Sequence, residues 1–408
     1  MGKIVLLESS DIGARYSAEA IKGLGHEPVF LCELEKYQGD PLAQIQEYRH
    51  LNCPTTDTQA VLKAILGLGL SDLIGLTSLV DSRLSTASEA AALLGIAGLD
   101  PAVITLKDKG KVASLTPEFS PPSVVFQQST IPLTEIEALL TFFPKIMIKP
   151  TRGAGGLGAF TVEDAAQLKS LAALIGEKQV PPHMSAGGWI AEAFISGELA
   201  SLEGYVLQGA IRSLGFTSRR KVGTTESAAT FPVDRKLTEY QRARALSAVE
   251  VLMSRSGYLN GYFHIEFIFT SDSCFLIDAN VGRLGGGPLG ELLALSYGVD
   301  PIAIFKHAIE VSLFGIQSRN PYDENLLRAE THAILYGLKA GGELLDVDFP
   351  AEARCYHTQI LSRGAKVTPM GTDDWSWIGI VSGLNADTVS AVEKLRIHTP
   401  EGVFEACY

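Results

Sequence analysis

The stretch KIMIKPTRGAGGLGAFTV, Lys145–Val162, combines two lysines, an arginine and four glycines. Gly153, Gly155 and Gly158 have the G-x-G-x-x-G spacing of the dinucleotide-binding fingerprint. That fingerprint needs a strand before the glycines and a helix directly after them, because the pyrophosphate meets the helix N-terminus. Here the strand-like run AFTV follows, and a helical pattern begins only near Glu163. The stretch therefore predicts a glycine-rich β-hairpin and argues against a dinucleotide site.

Two cations flank these glycines. Lys149 ends the first strand of the predicted hairpin, and Arg152 precedes Gly153. A glycine loop lets backbone N–H groups close over phosphates while a lysine on the preceding strand reaches them. The stretch is not a P-loop, because no G-K-S or G-K-T follows. An ordinary glycine hairpin is the alternative, but the two cations favour phosphate. The candidate phosphate-binding residues of this loop are Lys149, Arg152, Gly153, Gly155 and Gly156.

A second informative stretch is HIEFIFTSDSCFLIDANVGRLGGG, residues 264–287. Two alternating apolar runs around TSDS predict a hairpin. Asp278 and Asn280 are two residues apart and share one face, and the hairpin places Glu266 beside them. Three oxygen ligands, two of them carboxylates, suit Mg²⁺ held against nucleotide phosphates. A solvated acidic face is the alternative, which the apolar flanking residues weaken.

Charged residues near this hairpin have two interpretations each. Arg283, followed by Gly285–Gly287, is placed to clamp a carboxylate or a developing phosphate charge. His264 shares a face with Glu266, although a lone histidine is more often a packed residue than an acid–base group. Farther upstream, the adjacent cations of residues 219–221 (RRK) predict a solvated face, with the binding of an acidic substrate as the alternative.

Composition excludes several classes of function. The net charge of −12 argues against nucleic acid as a partner, because affinity for its backbone comes from clustered lysine and arginine. The five cysteines are scattered without a C-x-x-C pair, which favours neither a disulfide framework nor a zinc site. The first residues do not resemble a signal peptide, and Lys63 and Asp72 interrupt the most apolar stretch. We therefore expect a cytoplasmic protein without a membrane partner.

The order of predicted strands and helices along the chain divides it into four regions. Strands and helices alternate over residues 1–104, which predicts an N-terminal parallel β-α-β domain. Residues 105–190 predict a small mixed lobe, and residues 191–318 predict a larger antiparallel-sheet lobe with the metal site. Residues 319–408 mix strands and a helix and predict a C-terminal α+β subdomain.

Several motifs, taken in order, resemble those of ATP-grasp enzymes over roughly residues 1 to 315: LKDKGKV, IMIKPTRGAGGLGAF, IAEAFISGE, HIEF, IDAN and GRLGGG. The resemblance implies an α/β protein with the ATP-grasp fold, which binds ATP and Mg²⁺ or Mn²⁺ between its small and large lobes. The resemblance implies that Lys109 and Lys149 contact the ATP phosphates and that the glycine loop covers these phosphates. Adenine lies against Glu192 and the backbone of Ala193, Phe194 and Ile195, with Glu198 on the ribose. The implied metal ligands are Glu266, Asp278 and Asn280, and the implied catalytic residues are Arg283 and His264.

Within that superfamily, the run from GYFHIEF through IDANVGRLGGG to LLALSYGVDPIAI is most similar to amino-acid ligases. The implied reaction joins an amino acid or acyl acid to an amino acid through an acyl phosphate and releases ADP and phosphate. The implied partners are a small carboxylate and a small amine, and enzymes of this resemblance are often homodimers.

The chain departs from the family pattern in three places. Asp278 stands where glutamate is usual, and Arg283 lies three residues after Asn280 instead of two. The hinge spacing is off by about one, so that Glu203 is a less direct candidate than Glu198 for the ribose contact. Two other functions stay open at this point: a biotin-carboxylase-like enzyme that phosphorylates bicarbonate, and a nucleotide-binding subunit without catalysis.

Overall fold

A computed structural model of the chain describes residues 2–69, 72–153, 158–176, 188–323, 329–373 and 376–408. The predicted N-terminal β-α-β pattern is confirmed as a four-stranded parallel sheet. Its strands are β1 (Lys3–Leu7), β2 (Glu27–Cys32), β3 (Arg49–Asn52) and β4 (Leu73–Thr77), in the order β3-β2-β1-β4. The helices up to residue 115 are α1 (Gly13–Gly23), α2 (Gly39–Gln46), α3 (Thr58–Gly67), α4 (Leu84–Leu94), α5 (Ala102–Leu106) and α6 (Lys109–Leu115).

Local chemistry sets several of these helix ends. The Asp57 carboxylate accepts a hydrogen bond from the N–H of Gln59 and so caps the start of α3. Asp108 caps α6 by accepting from the N–H groups of Gly110 and Lys111. Gly95 caps the C-terminal end of α4 in a left-handed conformation, with a φ of 65° that favours glycine. Short 3₁₀ turns lie at Leu34–Lys36, Asp81–Arg83 and Asp234–Lys236.

A second, antiparallel four-stranded sheet forms the small lobe. It contains β5 (Ser123–Phe126), β6 (Ile146–Pro150), β7 (Phe160–Val162) and β8 (Trp189–Ala193), in the order β5-β8-β6-β7, with α7 (Leu133–Phe142) and α8 (Ala165–Gly176). Strands β6 and β7 pair antiparallel, with Ile146 opposite Val162. The glycine stretch thus joins two strands, as predicted, and the dinucleotide fingerprint lacks its helix. We call β6, β7 and their connection the glycine hairpin.

The largest sheet is antiparallel and has eight strands in the order β13-β12-β9-β10-β11-β14-β19-β17. Its strands are β9 (Glu198–Leu207), β10 (Ala210–Val222), β11 (Thr225–Phe231), β12 (Gly261–Phe269), β13 (Cys274–Val281), β14 (Thr331–Tyr336), β17 (Tyr356–Gln359) and β19 (Gly379–Leu384). Because β14, β17 and β19 come after residue 318, this sheet continues across the predicted boundary of the C-terminal subdomain.

Helices and short strands complete the large lobe and the C-terminal region. The helices are α9 (Glu239–Ser256), α10 (Leu289–Tyr297), α11 (Pro301–Ile309, prolonged by a π turn over Glu310–Phe314) and α12 (Asn385–Lys394). The short strands are β15 (Gly342–Glu343), β16 (Asp346–Asp348), β18 (Lys366–Val367), β20 (Arg396–Thr399) and β21 (Gly402–Glu405).

The two faces of β12 enter different hydrophobic clusters. Phe263, Ile265 and Phe267 pack with residues of α9, whereas Tyr262 packs with α10 and α11. His264 and Glu266 alternate with the first set and therefore lie on the Tyr262 face. The apolar residues that flank the candidate site thus form the core that holds its strands in register.

Two further expectations concern cysteines and membranes. All five cysteines are free, in agreement with the absence of a disulfide framework. Among the described helices, none is by itself long and apolar enough to cross a membrane. Leu289–Tyr297 and Pro301–Phe314, bent by 114° at their junction, pass that test only as a pair, by length and composition.

Candidate active site

The strands β12 and β13, which we call the metal hairpin, bring the predicted metal ligands together. Glu266 lies directly opposite Asp278, and His264 lies opposite Asn280. Residues that face each other across an antiparallel pair put their side chains on one face. The structure therefore places the two carboxylates and the Asn280 amide on the same side of the sheet.

Each of these oxygen donors faces a cation of the protein. Asp278 Oδ2 lies 3.0 Å from Lys109 Nζ, and Glu266 Oε1 lies 3.1 Å from an Arg219 guanidinium nitrogen. Lys107 donates to Asn280 Oδ1 at 3.3 Å. Burial raises the pKa of Glu266, but Arg219, His264 and Lys109 together outweigh burial and hold that pKa well below its ordinary value.

These donors fit a magnesium ion that is completed by phosphate. Among the described residues, no three His, Cys, Asp or Glu side chains cluster closely enough to hold a metal ion. Mg²⁺ is commonly bound through one or two carboxylates together with substrate phosphates and water. The Glu266 and Asp278 side chains and the Asn280 amide match that donor set in kind and number.

Lys109 connects the two hairpins. Its backbone N–H donates to Thr151 O at 2.8 Å, and its Nζ donates to Gly153 O at 3.1 Å, both at the start of the glycine connection. The same Nζ pairs with Asp278. Burial lowers the pKa of Lys109, but the carboxylates of Asp278, Asp81 and Glu266 together raise it more, so that the lysine stays charged. The predicted D-K lysine thus lies at the junction of both predicted sites.

Lys149 lies on the small-lobe sheet. Its Nζ is 2.5 Å from Glu192 Oε1, and both side chains are largely buried. Lys149 is opposite Ile190 and Met147 is opposite Glu192, so the pair shares one sheet face. The structure therefore brings the predicted phosphate lysine together with the predicted adenine-side carboxylate.

The glycine connection itself is partly described. Arg152 is 45% exposed, and its Nε lies 3.6 Å from Asp108 Oδ2. Gly153 has a φ of 151°, a conformation that favours glycine. Gly155 and Gly156 lie outside the described residues.

The predicted adenine hinge has two of its three backbone N–H groups occupied. Ala193 donates to Pro122 O at 2.9 Å, and Phe194 donates to Lys145 O at 3.0 Å. No described residue accepts from the N–H of Ile195. The Phe194 ring is 39% exposed, and Lys145 Nζ lies 5.0 Å from its centroid.

The structure separates the two candidate ribose glutamates. Glu203 is buried and faces His264, whereas Glu198 is exposed at the start of β9, opposite Phe269. The two residues are five apart in one strand, so their side chains leave it on opposite faces. Glu198 therefore lies on the sheet face away from the predicted metal ligands.

His264 is buried in a polar network. Its Nδ1 lies 2.8 and 2.9 Å from the Glu203 carboxylate oxygens, and its Nε2 lies 3.1 Å from Ser201 Oγ. Burial and Arg219 lower the pKa of His264, but Glu203 and Glu266 together raise it more, so that its pKa lies above the ordinary value. With 3% exposure, the ring contacts protein on all sides. Its geometry suits the orientation of neighbouring side chains better than direct contact with substrate.

The interpretation of residues 219–221 as a solvated face is wrong for Arg219. Arg219 lies on β10, and its guanidinium is 3.6 Å from Glu226 and 3.1 Å from Glu266, in contact with His264 Nε2. Arg220 instead lies over the Tyr408 ring at 5.8 Å. Strand alternation separates the neighbours, and the burial of Arg219 depends on β9 and β12, which the local sequence does not show. We call β10 and β11 the arginine hairpin.

Arg283 belongs to a charge cluster that the sequence did not reveal. One guanidinium nitrogen lies 3.4 Å from Asp81 Oδ1, and the other donates to Leu284 O at 2.8 Å. Its buried Nε has no acceptor among the described residues. Asp81 also pairs with Lys107. Burial raises the pKa of Asp81, but Lys107 and Arg283 outweigh it and lower that pKa to about 2.

Comparison with known proteins identifies the domain. The ATP-grasp domain family matches residues 142–289, which include the glycine hairpin, the hinge and the metal hairpin. The chain has the ATP-grasp fold. This confirms the fold predicted from the ordered motifs. No curated protein sequence matches the chain.

Solved structures cover almost the whole chain. An L-amino acid ligase from Bacillus licheniformis is 19% identical over 98% of this chain and 99% of its own, with a TM-score of 0.74. The biotin carboxylase domain of the 2-oxoglutarate carboxylase of Hydrogenobacter thermophilus, in complex with MgADP and bicarbonate, is 16% identical over 98% and 91%, with a TM-score of 0.76. Phosphoribosylglycinamide synthetase from Anaerococcus prevotii is 14% identical over 98% and 99%, with a TM-score of 0.68. At these identities the ATP-grasp fold is shared, and the fold does not choose among the three reactions.

Proposed function

We propose that this ATP-grasp chain is an ATP-dependent carboxylate–amine ligase. It would join an amino acid or acyl acid to an amino acid through an acyl phosphate and release ADP and phosphate. The observation that carries the proposal is the position of Lys109, which contacts both Gly153 of the glycine hairpin and Asp278 of the metal hairpin. The loop proposed to bind phosphate and the proposed metal ligands are therefore both in contact with one cation.

The relatives support the cofactors and the class of reaction. The Hydrogenobacter thermophilus domain was solved with MgADP, and the Bacillus licheniformis protein is an L-amino acid ligase of nearly the same length. The sequence run from GYFHIEF to LLALSYGVDPIAI resembles the amino-acid ligases, which favours amide formation over the other reactions of this fold. The finer assignment, two small-molecule substrates joined into an amide, rests on that run.

In the proposed reaction, an oxygen of the substrate carboxylate attacks the γ-phosphorus of ATP, and the bond from that phosphorus to the β–γ bridging oxygen breaks. ADP leaves, and an acyl phosphate forms. The amine nitrogen of the second substrate then attacks the acyl carbon, the carbon–oxygen bond to phosphate breaks, and the nitrogen loses a proton. Phosphoryl transfer depends on positioning and charge neutralisation more than on covalent help from the protein.

In this proposal the chain would supply these functions with cations and with the glycine hairpin. Lys149 and Lys109 would face the phosphates from the small lobe and from the junction of the hairpins. Mg²⁺ held by Glu266, Asp278 and Asn280 would add the positive charge that phosphoryl transfer requires. Arg283, whose Nε is buried without an acceptor among the described residues, would face the acyl-phosphate end. The glycine hairpin would exclude the water that hydrolyses an acyl phosphate.

The test is ADP and phosphate release with Mg-ATP against a panel of amino acids, singly and in pairs, with mass spectrometry of the products. Release that requires a pair, with a product of summed mass less water, supports the ligase and names its substrates. Release with single acids, without a conjugate, shows acyl-phosphate formation without the amine partner. Absence of release with every acid contradicts the proposal.

A carboxylase is the second candidate. The biotin carboxylase domain has a TM-score of 0.76, as high as that of the amino acid ligase at 0.74. ADP release that depends on bicarbonate and not on amino acids would favour this function. A nucleotide-binding subunit without catalysis would bind ATP and release no ADP under any of these conditions.

A further inference from the structure

We infer that a C-terminal segment positions the arginine hairpin in the candidate active site and that Trp377 is a positioning residue. The segment consists of residues 368–373 together with Ser376 and Trp377, and we call it the clamp segment. It lies in the C-terminal region, for which the sequence indicated no function. The inference rests on the proposed function for its catalytic consequence, whereas the contacts that carry it are independent of that function.

Hydrogen bonds join the clamp segment to the tip of the arginine hairpin. The indole N–H of Trp377 donates to the backbone carbonyl of Glu226 at 2.7 Å. The neighbouring Thr225 hydroxyl accepts from Gly371 N–H at 3.0 Å and donates to the carbonyl of Asp373. Thr225 is fully buried, so water does not replace these partners when they are lost.

Two glycines allow the backbones to approach this closely. Gly223, at the hairpin turn, has a φ of 58°, and a Cβ at that position would lie 2.2 Å from Gly371 O. Gly371 has a φ of 97°, and a Cβ there would lie 3.0 Å from Val222 O. A side chain at Gly223 would therefore both strain the turn and collide with the carbonyl of Gly371. The hairpin turn and the clamp segment therefore contact each other through their backbones.

The clamp segment is itself fixed on the large sheet. The hydroxyls of Thr368 and Ser376 both donate to the Asp373 carboxylate, at 2.9 and 2.8 Å. Directly after Trp377, Ile378 N–H donates to Tyr336 O at 2.7 Å, which ties the segment to β14. The hairpin tip therefore rests against a segment that its own hydrogen bonds and the sheet hold in place.

A short chain of charge contacts links the hairpin tip to the metal hairpin. Glu226, whose carbonyl accepts from Trp377, carries the carboxylate that lies 3.6 Å from Arg219. Arg219 in turn lies 3.1 Å from Glu266. A displacement of the tip would move Glu226 and Arg219 away from Glu266 and change the charge around the proposed magnesium ligand. The adenine side of the site, at Lys149 and Glu192, has no part in this chain of contacts.

Trp377→Phe and Thr225→Val test the inference in the full-length protein. Each removes hydrogen bonds to the clamp and keeps most of the side-chain volume. The first measurement is amide hydrogen exchange of residues 217–230 without ligand. We expect it to become about fivefold faster in Trp377→Phe, the factor that corresponds to one lost hydrogen bond, and faster still in Thr225→Val, which loses two. Asp348→Ala is the control, because it removes an exposed contact with His398 on another C-terminal sheet.

The second measurement separates positioning from a general structural effect. We expect the magnesium concentration for half-maximal ADP release to rise about fivefold in Trp377→Phe. This is the same factor as the expected increase in the exchange rate of the arginine hairpin. The Kd of ADP in the absence of metal should stay unchanged, because the clamp does not reach the small lobe. Unchanged exchange over residues 217–230 in both variants overturns the inference, as does faster exchange spread evenly over all lobes. A wild-type protein without magnesium-dependent ADP release contradicts the proposed function, whereas the exchange measurement still decides whether the clamp exists.

Discussion

The glycine hairpin and the metal hairpin are both antiparallel strand pairs, but they hold their charged residues differently. The glycine hairpin pairs over three positions, and Arg152, in its connection, is 45% exposed. The metal hairpin pairs over seven positions, and Glu266, in the body of a strand, faces Arg219 and His264. Charged groups within the sheet are thus fixed by register and by counter-charges, whereas those in a connection stay accessible to a ligand.

The comparison predicts that substitutions in the metal hairpin have the largest effects. Glu266→Ala removes a proposed magnesium ligand and leaves the buried Arg219 without its nearest carboxylate. We expect magnesium-dependent ADP release to fall about 1,000-fold, at the upper end of the losses seen when one preorganised charge-stabilising group is removed. Asn280→Ala should likewise abolish metal-dependent turnover. A coupled ADP assay across a magnesium titration measures both.

The same hairpin offers the control for these variants. Asp272→Ala removes a carboxylate from the exposed turn between β12 and β13, where Asp272 accepts a local hydrogen bond from Thr270. Its ADP release should match that of the wild-type protein. If Glu266→Ala releases ADP at the wild-type rate, the metal hairpin is not part of the active site.

In the small lobe, Lys149→Ala should cause the next largest loss. The substitution removes a cation proposed to face the phosphates and leaves Glu192 buried without its partner at 2.5 Å. We expect ADP release to fall about 100-fold, at the lower end of the same range. Kinetics and ATP titration by calorimetry measure it, with the exposed Lys169→Ala on α8 as the matched lysine. Equal activity of the two variants would assign the phosphate contact to another residue.

Two adjacent arginines sharpen the contrast between buried and exposed charge. Arg219 contacts Glu266 in the site, whereas Arg220 points to the other face and lies over Tyr408. Arg219→Ala should lower ADP release about tenfold and also lower the melting temperature, because it removes the arginine that pairs with the largely buried carboxylates of Glu226 and Glu266. Arg220→Ala should change activity less than about twofold, as is usual for a charge away from the site. If Arg219→Ala and Arg220→Ala changed ADP release equally, the assignment of the two arginines to opposite sheet faces would be wrong.

Much of the fold and part of the site could be predicted because their signals are local. Alternating apolar residues around TSDS were enough to place Glu266 beside Asp278 and Asn280, and the observed register has Glu266 directly opposite Asp278. The AFTV run after the glycines was enough to reject the helix that a dinucleotide site needs. In both cases the residues that decide the geometry lie in or next to the motif itself.

The rest depends on contacts between distant parts of the chain. Asp81 meets Lys107 across 26 residues and Arg283 across 202, and no local pattern links them. The burial of Arg219 follows from neighbouring strands that are assembled later in the sequence. The ribose prediction was sensitive to a single residue of spacing, because a shift of one along a strand changes the face, and Glu198 and Glu203 lie on opposite faces.

The smallest predicted effect concerns Asp81, which the sequence did not indicate. Its pKa is about 2 in the folded protein, below the ordinary value of 3.8, so its ionised form stabilises the fold above about pH 4. This stability is lost as the pH falls from about 4 toward 2. The lowered pKa of Asp81 adds about 2 kcal/mol to the free energy of unfolding at pH 7 and about half of that at pH 3. Urea unfolding without nucleotide measures the difference in the free energy of unfolding between wild type and Asp81→Asn. We expect this difference to become smaller as the pH is lowered. The exposed control Asp272→Asn should unfold with the same free energy as wild type at each pH. A gap that stays constant between pH 7 and pH 3 would mean that the Asp81 carboxylate is not held by Lys107 and Arg283, and the acid-sensitive charge would then have to be sought in the metal hairpin instead.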